Sequence, residues 1–189
     1  DGVVIEDMNY ISDPADVRIC PGVDNIMKEA KSLSIPIIIV TNQSGIERGR
    51  LTWDDYHQVT KKMIELLAYP EMLYGIYANS SVEFNGKIEE WRKPGAGMII
   101  ESSLAFNIEL ETSTLIGDRM SDLQAGINAG MRRVSHLLTG HGSKERANIP
   151  DKISSNINNE RKQGKVNKCH GLEDFDLRRE LVLAKKEVK

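Results

Sequence analysis

Three polar clusters along this 189-residue chain carry side chains of the kinds that handle phosphate. Asp1 opens the chain and runs into Gly2-Val3-Val4-Ile5. Thr41-Asn42-Gln43-Ser44-Gly45 follows the longest apolar stretch, and Gly117-Asp118-Arg119-Met120-Ser121-Asp122 follows a shorter one. A fourth group, Arg92-Lys93, stands directly before Pro94. Carboxylates at loop ends supply the hard oxygen ligands that a divalent cation such as magnesium takes. A transferring phosphoryl group needs donors on its nonbridging oxygens. A hydroxyl, an amide and a lysine serve, with a cation offsetting the remaining charge. Acid help on the leaving oxygen comes from a carboxyl close to phosphorus. The inventory fits phosphoryl transfer.

These clusters are far apart in sequence, so the elements between them must bring them together. Residues 22–33 carry Val23, Ile26, Met27 and Ala30 at helical spacing, and residues 35–40 are β-branched and read as a buried strand. Thr52 with Asp55 is a capping signature before a helix whose apolar stripe is Trp53, Tyr56, Val59, Met63, Leu66 and Leu67. A short strand is predicted at 74–77, and a helix from Pro94, whose missing N–H costs nothing in a first turn, to about Phe106. A strand at 114–116, a helix at 120–129 closed by Gly130, and a strand at 133–138 complete the alternation. Strands interleaved with helices of this length predict an α/β fold, a Rossmann-like parallel sheet with helices on both faces. Chemistry in such sheets gathers beyond the carboxyl ends of the strands, which is where the Thr41 and Asp118 clusters fall. Residues 1–142 are expected to form this domain. Residues 143–170 are polar without sustained periodicity and read as a long loop or extension, followed by a charged helical tail over 172–188 with Leu177, Leu181 and Leu183 as docking residues.

Composition excludes several alternatives. A net charge of −3 lacks the basic excess of a nucleic-acid binder, and aromatics at 5% leave little for base stacking. No apolar run approaches the ~20 residues of a membrane span. Two distant cysteines, Cys20 and Cys169, give neither a disulfide framework nor a zinc motif and suit a reducing cytoplasm. The first residues do not read as a signal peptide, and without an initiator Met the natural start is expected upstream. The four histidines, His57, His136, His141 and His170, show no metal-binding spacing and receive no role.

Taken in order, Asp-Gly-Val, Thr-Asn-Gln-Ser-Gly-Ile-x-Arg-Gly, Arg-Lys-Pro-x-x-Gly-Met and Gly-Asp-Arg-x-x-Asp-x-x-Ala-Gly resemble the haloacid dehalogenase (HAD) superfamily. The match is to its D-glycero-D-manno-heptose 1,7-bisphosphate phosphatase and histidinol-phosphatase branch, over roughly residues 1–140. Singly, Thr41-Asn42 is an ordinary turn, Lys93 a solvated lysine and Asp118 a helix cap; four motifs in register are specific.

The resemblance implies a magnesium-dependent hydrolase of a small phosphorylated metabolite that works through an aspartyl-phosphate. Asp1 matches the second Asp of the family's Asp-x-Asp-Gly motif. The nucleophile and the first strand would then lie upstream of residue 1, and the 189 residues alone are expected to be inactive. Asp1 resembles the general acid/base, its main-chain carbonyl on Mg²⁺, and Asp118 the side-chain metal ligand. Thr41 and Lys93 resemble the pair that stabilises the phosphoryl group. Asp7, Met8, Asn9 and Tyr10 fall where the family contacts substrate, as do Asn42, Gln43, Ser44, Arg92 and Arg119, while Asp122 is expected to orient its neighbours. The branch often carries a zinc loop before Arg-Lys-Pro; residues 78–91 lack Cys and His, so no structural zinc is expected, and Phe84 or Trp91 is a candidate lid. Three readings stay open: a heptose bisphosphate phosphatase, a histidinol-phosphate phosphatase, and an inactive HAD-like binding module.

Overall fold

Apolar spacing sets the first helix, α1 (Val23–Leu33), which buries Val23, Met27 and Ala30 on one face and ends at Ser34 in a left-handed conformation. A computed structural model describes the chain apart from residues 84, 85, 87, 88, 158, 159, 188 and 189. Strand β1 (Ile37–Asn42), the short helix α2 (Ser44–Glu47), helix α3 (Trp53–Leu66) and strand β2 (Leu73–Asn79) follow. The predicted capping box opens α3: the Thr52 hydroxyl accepts from the Asp55 N–H, and the Asp55 carboxylate accepts from the Thr52 N–H. Of its stripe, Tyr56, Val59 and Met63 are buried, whereas Trp53 lies on the surface. β1 and β2 pair in parallel, and the ladder continues past the apolar run to Thr41 opposite Ala78 and Asn42 opposite Asn79. The phosphate-type residues therefore belong to the strand end itself.

Helix α4 (Gly97–Phe106) begins three residues later than Pro94. Residues 90–97 instead form a tight turn, with the Gly95 N–H on the Arg92 carbonyl (2.7 Å), the Gly97 N–H on the Glu90 carbonyl (3.0 Å) and a cis Lys93–Pro94 peptide. Then come β3 (Thr114–Gly117), α5 (Met120–Asn128), β4 (Arg133–His136) and α6 (Gly142–Glu145).

Residues 143–170 are not the loop that their polarity suggested. They hold β5 (Lys152–Ile157) and β6 (Glu160–Lys168), and β6 pairs parallel to β4 while β5 pairs antiparallel to β6. The sheet order is β3-β4-β6-β5. A pair of strands at a sheet margin shows water one polar side, which dilutes the apolar alternation; Ile153 is buried, but few other apolar residues mark these strands. The tail helix α7 (Leu177–Glu187) docks through Leu177 and Ala184, with Leu181 packed beside them.

Leu115 and Ile116, adjacent in β3, point to opposite faces. Leu115 packs with Leu123 and Ile127 of α5, Val134 of β4 and Ile153 of β5. Ile116 packs with the cluster of Met27 and Ala30 of α1 and Leu177 of α7. The parallel sheet thus carries helices on both faces. No helix among the described residues is long and apolar enough to cross a membrane.

Candidate active site

The ends of β1 and β3 and the turn before Pro94 meet at one place. Lys93 links them. Its ammonium donates to the Val40 carbonyl of β1 (2.9 Å) and pairs with Asp122 Oδ1 of α5 at 2.7 Å. Its backbone is tied to β1 by a reciprocal pair: the Lys93 N–H donates to Asn42 Oδ1 (3.1 Å), and Asn42 Nδ2 donates to the Lys93 carbonyl (3.0 Å). A lysine has three N–H donors, so one remains for a phosphoryl oxygen. Asn42, expected to touch substrate, spends its side chain on this brace.

Thr41 accepts from Gln43 Nε2 at 3.0 Å, which leaves its own hydroxyl proton free to donate. The same amide reaches Asp1 Oδ2 at 3.5 Å, while the Gln43 N–H donates to Asn79 at the end of β2 (2.7 Å). Ser44 opens α2.

Asp1 and Asp118 also come together. A Cβ placed on Gly2 would stand 2.6 Å from Asp118 Oδ2, and one on Gly140 would stand 2.5 Å from the same oxygen. Both glycines have positive φ (+78° and +52°), so the Asp118 carboxylate lies in a cradle that a side chain would fill. Thr139 donates its hydroxyl to the Gly2 carbonyl, and the His141 N–H donates to Asp118 Oδ2 at 2.8 Å. The main chain at Asp1-Gly2 and the Asp118 carboxylate therefore lie together, and Asp122, whose charge acts on Asp118, brings Lys93 to the same place.

The two carboxyls of this centre are pushed apart. Burial, with Asp122 as a like charge nearby, raises Asp118, and the His141 N–H offsets this only in part. Burial also opposes ionisation of Asp122, but Lys93 and the Arg119 N–H outweigh it and hold that carboxyl below the usual range. Asp122 is thus the permanent partner of Lys93. Its Oδ2 accepts from the Arg119 N–H at 3.0 Å, so it also caps α5, the orienting role expected of it.

The other sequence candidates divide. Asp7 Oδ1 accepts from the Asn9 N–H (3.0 Å), and Oδ2 pairs with His141 Nε2 at 2.8 Å, so this carboxylate shapes its loop. Met8 and Tyr10 are exposed, and Asn9 and Tyr10 both hold positive φ, a conformation that non-glycine residues adopt at a cost. Together with Gly2, Thr139 and Gly140, Asp7, Asn9 and His141 line a cleft of about 400 Å³, the size of a small-molecule site. Arg92 donates to the Ser81 carbonyl at 2.6 Å, and burial followed by Arg48 and Arg119 lowers its pKa. The charges of Glu47 and Glu83 act on Arg92 in the opposite sense. Trp91 packs against Tyr77 and Gly97, and Phe84 lies outside the described residues.

Sequence reasoning missed three neighbours of this centre. Arg48 stands inside the Thr41 motif but drew no role. His141 and His136 have no recognisable spacing, yet His141 holds Asp118 Oδ2 and His136 Nε2 lies 3.1 Å from the Asp118 carbonyl oxygen.

Comparison with known proteins places the chain in a family. Residues 90–159 match the HAD-hydrolase-like family model. The D-glycero-β-D-manno-heptose-1,7-bisphosphate 7-phosphatase of Helicobacter pylori (strain ATCC 700392 / 26695) is 37% identical over 136 residues, 70% of this chain and 76% of that protein. The chain belongs to the HAD superfamily, in its heptose 1,7-bisphosphate phosphatase branch. The enzyme of the same name from Mesorhizobium japonicum is 31% identical over 69% of this chain, and the match spans 63% of its length. In fold, this HAD chain superposes with a TM-score of 0.74 on the crystal structure of D,D-heptose 1,7-bisphosphate phosphatase from B. bronchiseptica complexed with magnesium and phosphate. That match is 23% identical and covers 100% of this chain and 94% of the other.

Among the described residues, no three His, Cys, Asp or Glu side chains are placed to hold a metal ion. Magnesium does not require such a cage, since it is commonly held by one or two carboxylates, water and substrate phosphate. The buried Asp118 carboxylate in its glycine cradle, with the Asp1 main chain beside it, is the hard-oxygen donor set of this HAD site that fits such an ion.

Proposed function

We propose that this protein hydrolyses a phosphate monoester on a small sugar phosphate, a heptose bisphosphate, with Mg²⁺ held by the Asp118 carboxylate and the Asp1 carbonyl. The observation that carries this reading is the position of Lys93. Its ammonium is fixed by Asp122 and Val40 beside Thr41, facing the centre that also holds Asp118.

In this reading the nucleophile is a carboxylate two positions before Asp1. Its oxygen bonds to phosphorus as the bond from phosphorus to the sugar oxygen breaks. Asp1, as the carboxylic acid, gives its proton to the leaving oxygen. Water then attacks phosphorus, Asp1 takes a proton from it, and the acyl phosphate separates into inorganic phosphate and the free carboxylate. Thr41 donates its hydroxyl proton, and Lys93 its remaining N–H, to nonbridging oxygens whose charge grows in the transition state. A bound magnesium ion would supply charge neutralisation at the same oxygens.

Phosphate release from heptose 1,7-bisphosphate, other sugar phosphates and histidinol phosphate tests this in protein that carries the upstream carboxylate. The bisphosphate is expected to be the best substrate, cleaved at its primary carbon. Activity should vanish with a chelator and return with Mg²⁺. Release that ignores the chelator would refute the metal assignment, and a preference for histidinol phosphate would reassign the substrate.

A further inference from the structure

His136 ends β4 opposite Gly117 and is fully buried. Arg146, just beyond α6, donates from Nε to His136 Nδ1 at 3.0 Å and from Nη2 to the His136 carbonyl at 3.1 Å. A guanidinium has donors and no acceptor, so Nδ1 must accept. The ring proton is thereby assigned to Nε2, which donates to the carbonyl of Asp118 at 3.1 Å. The N–H of the same peptide unit, on Arg119, donates to Asp122 Oδ2 at 3.0 Å. A planar peptide held at both ends is fixed in orientation, and the direction in which Asp118 leaves the backbone is fixed with it. Asp122 Oδ1 carries Lys93, so the hydrogen bonds run unbroken from Arg146 through His136, the Asp118–Arg119 peptide and Asp122 to the phosphate-binding ammonium. Arg146 Nη2 also donates to the carbonyl of Cys169, the residue after β6.

We infer that His136, locked as its Nε2-protonated form by Arg146, is a positioning residue that sets the affinity of Asp118 for its divalent cation, and that Arg146 makes this affinity depend on the seating of β6. The inference rests on the magnesium reading given above. His136 touches neither the metal nor the substrate; it acts through the peptide it holds. Residues that orient metal ligands typically change metal affinity or activity by about 10–100-fold when removed.

Calorimetric titration with Mg²⁺ of substrate-free protein that carries the upstream carboxylate tests the inference without turnover. Wild type is expected to bind one ion. His136→Leu should raise the dissociation constant at least tenfold, His136→Gln should regain most of the affinity through its amide N–H, and Arg146→Met should lose several-fold. At saturating Mg²⁺ the KM for the phosphate ester should stay at its wild-type value. Metal-free melting curves identify the variants that fold; if His136→Leu does not, Arg146→Met decides the matter. A folded His136→Leu or Arg146→Met with wild-type affinity would overturn the inference while leaving the phosphatase reading intact. Wild type that binds no Mg²⁺ would overturn both.

Discussion

In β1 the run Ile37-Ile38-Ile39-Val40 is wholly apolar, yet every residue of the strand is only half-buried, whereas β4, written Arg133-Val134-Ser135-His136, is polar at three of its four positions and buried throughout. The difference lies in the neighbours. β4 lies between β3 and β6, with α5 against it, while β1 pairs with β2 and with no other strand among the described residues. The burial of β4 follows its position in the sheet rather than its hydropathy. The polar residues of β4 then need partners, since an unmet buried group costs about 1–3 kcal/mol. Arg133 makes a two-point contact with Glu180 of α7 (2.9 and 3.3 Å), and His136 is held between Asp118 and Arg146. Ser135 Oγ has no hydrogen-bond partner among the described residues. The β1 side thus carries the candidate chemistry at its strand end, and the β4 side carries a polar interior that anchors it.

Three substitutions sharpen that contrast. The largest effect is expected on the β1 side. Lys93→Ala should lower kcat/KM by a hundredfold or more in a phosphate-release assay, comparable to losing one donor to a developing anion. A loss under tenfold would count against its role. The same change leaves Asp122 buried without its cation. Because Lys93 holds the folded pKa of Asp122 below that of an unperturbed aspartate, that stabilisation is present above about pH 4 and lost as pH falls through the folded value. The stability gap between wild type and variant should therefore close on acidification, as followed by urea unfolding at stepped pH.

On the β4 side the leading effect is on stability. Glu180→Leu removes both carboxylate contacts of the buried Arg133 and should cost about 3–5 kcal/mol. Denaturant melts measure it; a loss below about 1 kcal/mol would mean that α7 is not the anchor of this strand. The smallest change has the opposite sign. Ser135→Ala removes a hydroxyl that is buried without a partner and should stabilise by up to about 1 kcal/mol. Destabilisation in the same melts would show that the hydroxyl has a partner after all.

The sequence by itself determined the alternation of strands and helices, the Thr52 capping box and four motifs in register. Each is written in neighbouring residues, as a period, a cap or a strand-end cluster. That was enough to put Thr41 and Asp118 at the carboxyl ends of strands and, through the resemblance, to name the family. Only the tertiary structure decided the rest. Strands β5 and β6 were hidden because a sheet margin with one wet face carries little apolar alternation. The contacts of Asn42 with Lys93 and of Asp7 with His141 were hidden because the partners lie 51 and 134 positions away. His136 stayed invisible for the same reason: what makes a buried histidine matter is the Asp118 carbonyl and the Arg146 guanidinium against its two nitrogens, and no local pattern encodes contacts between segments that meet only when the sheet forms.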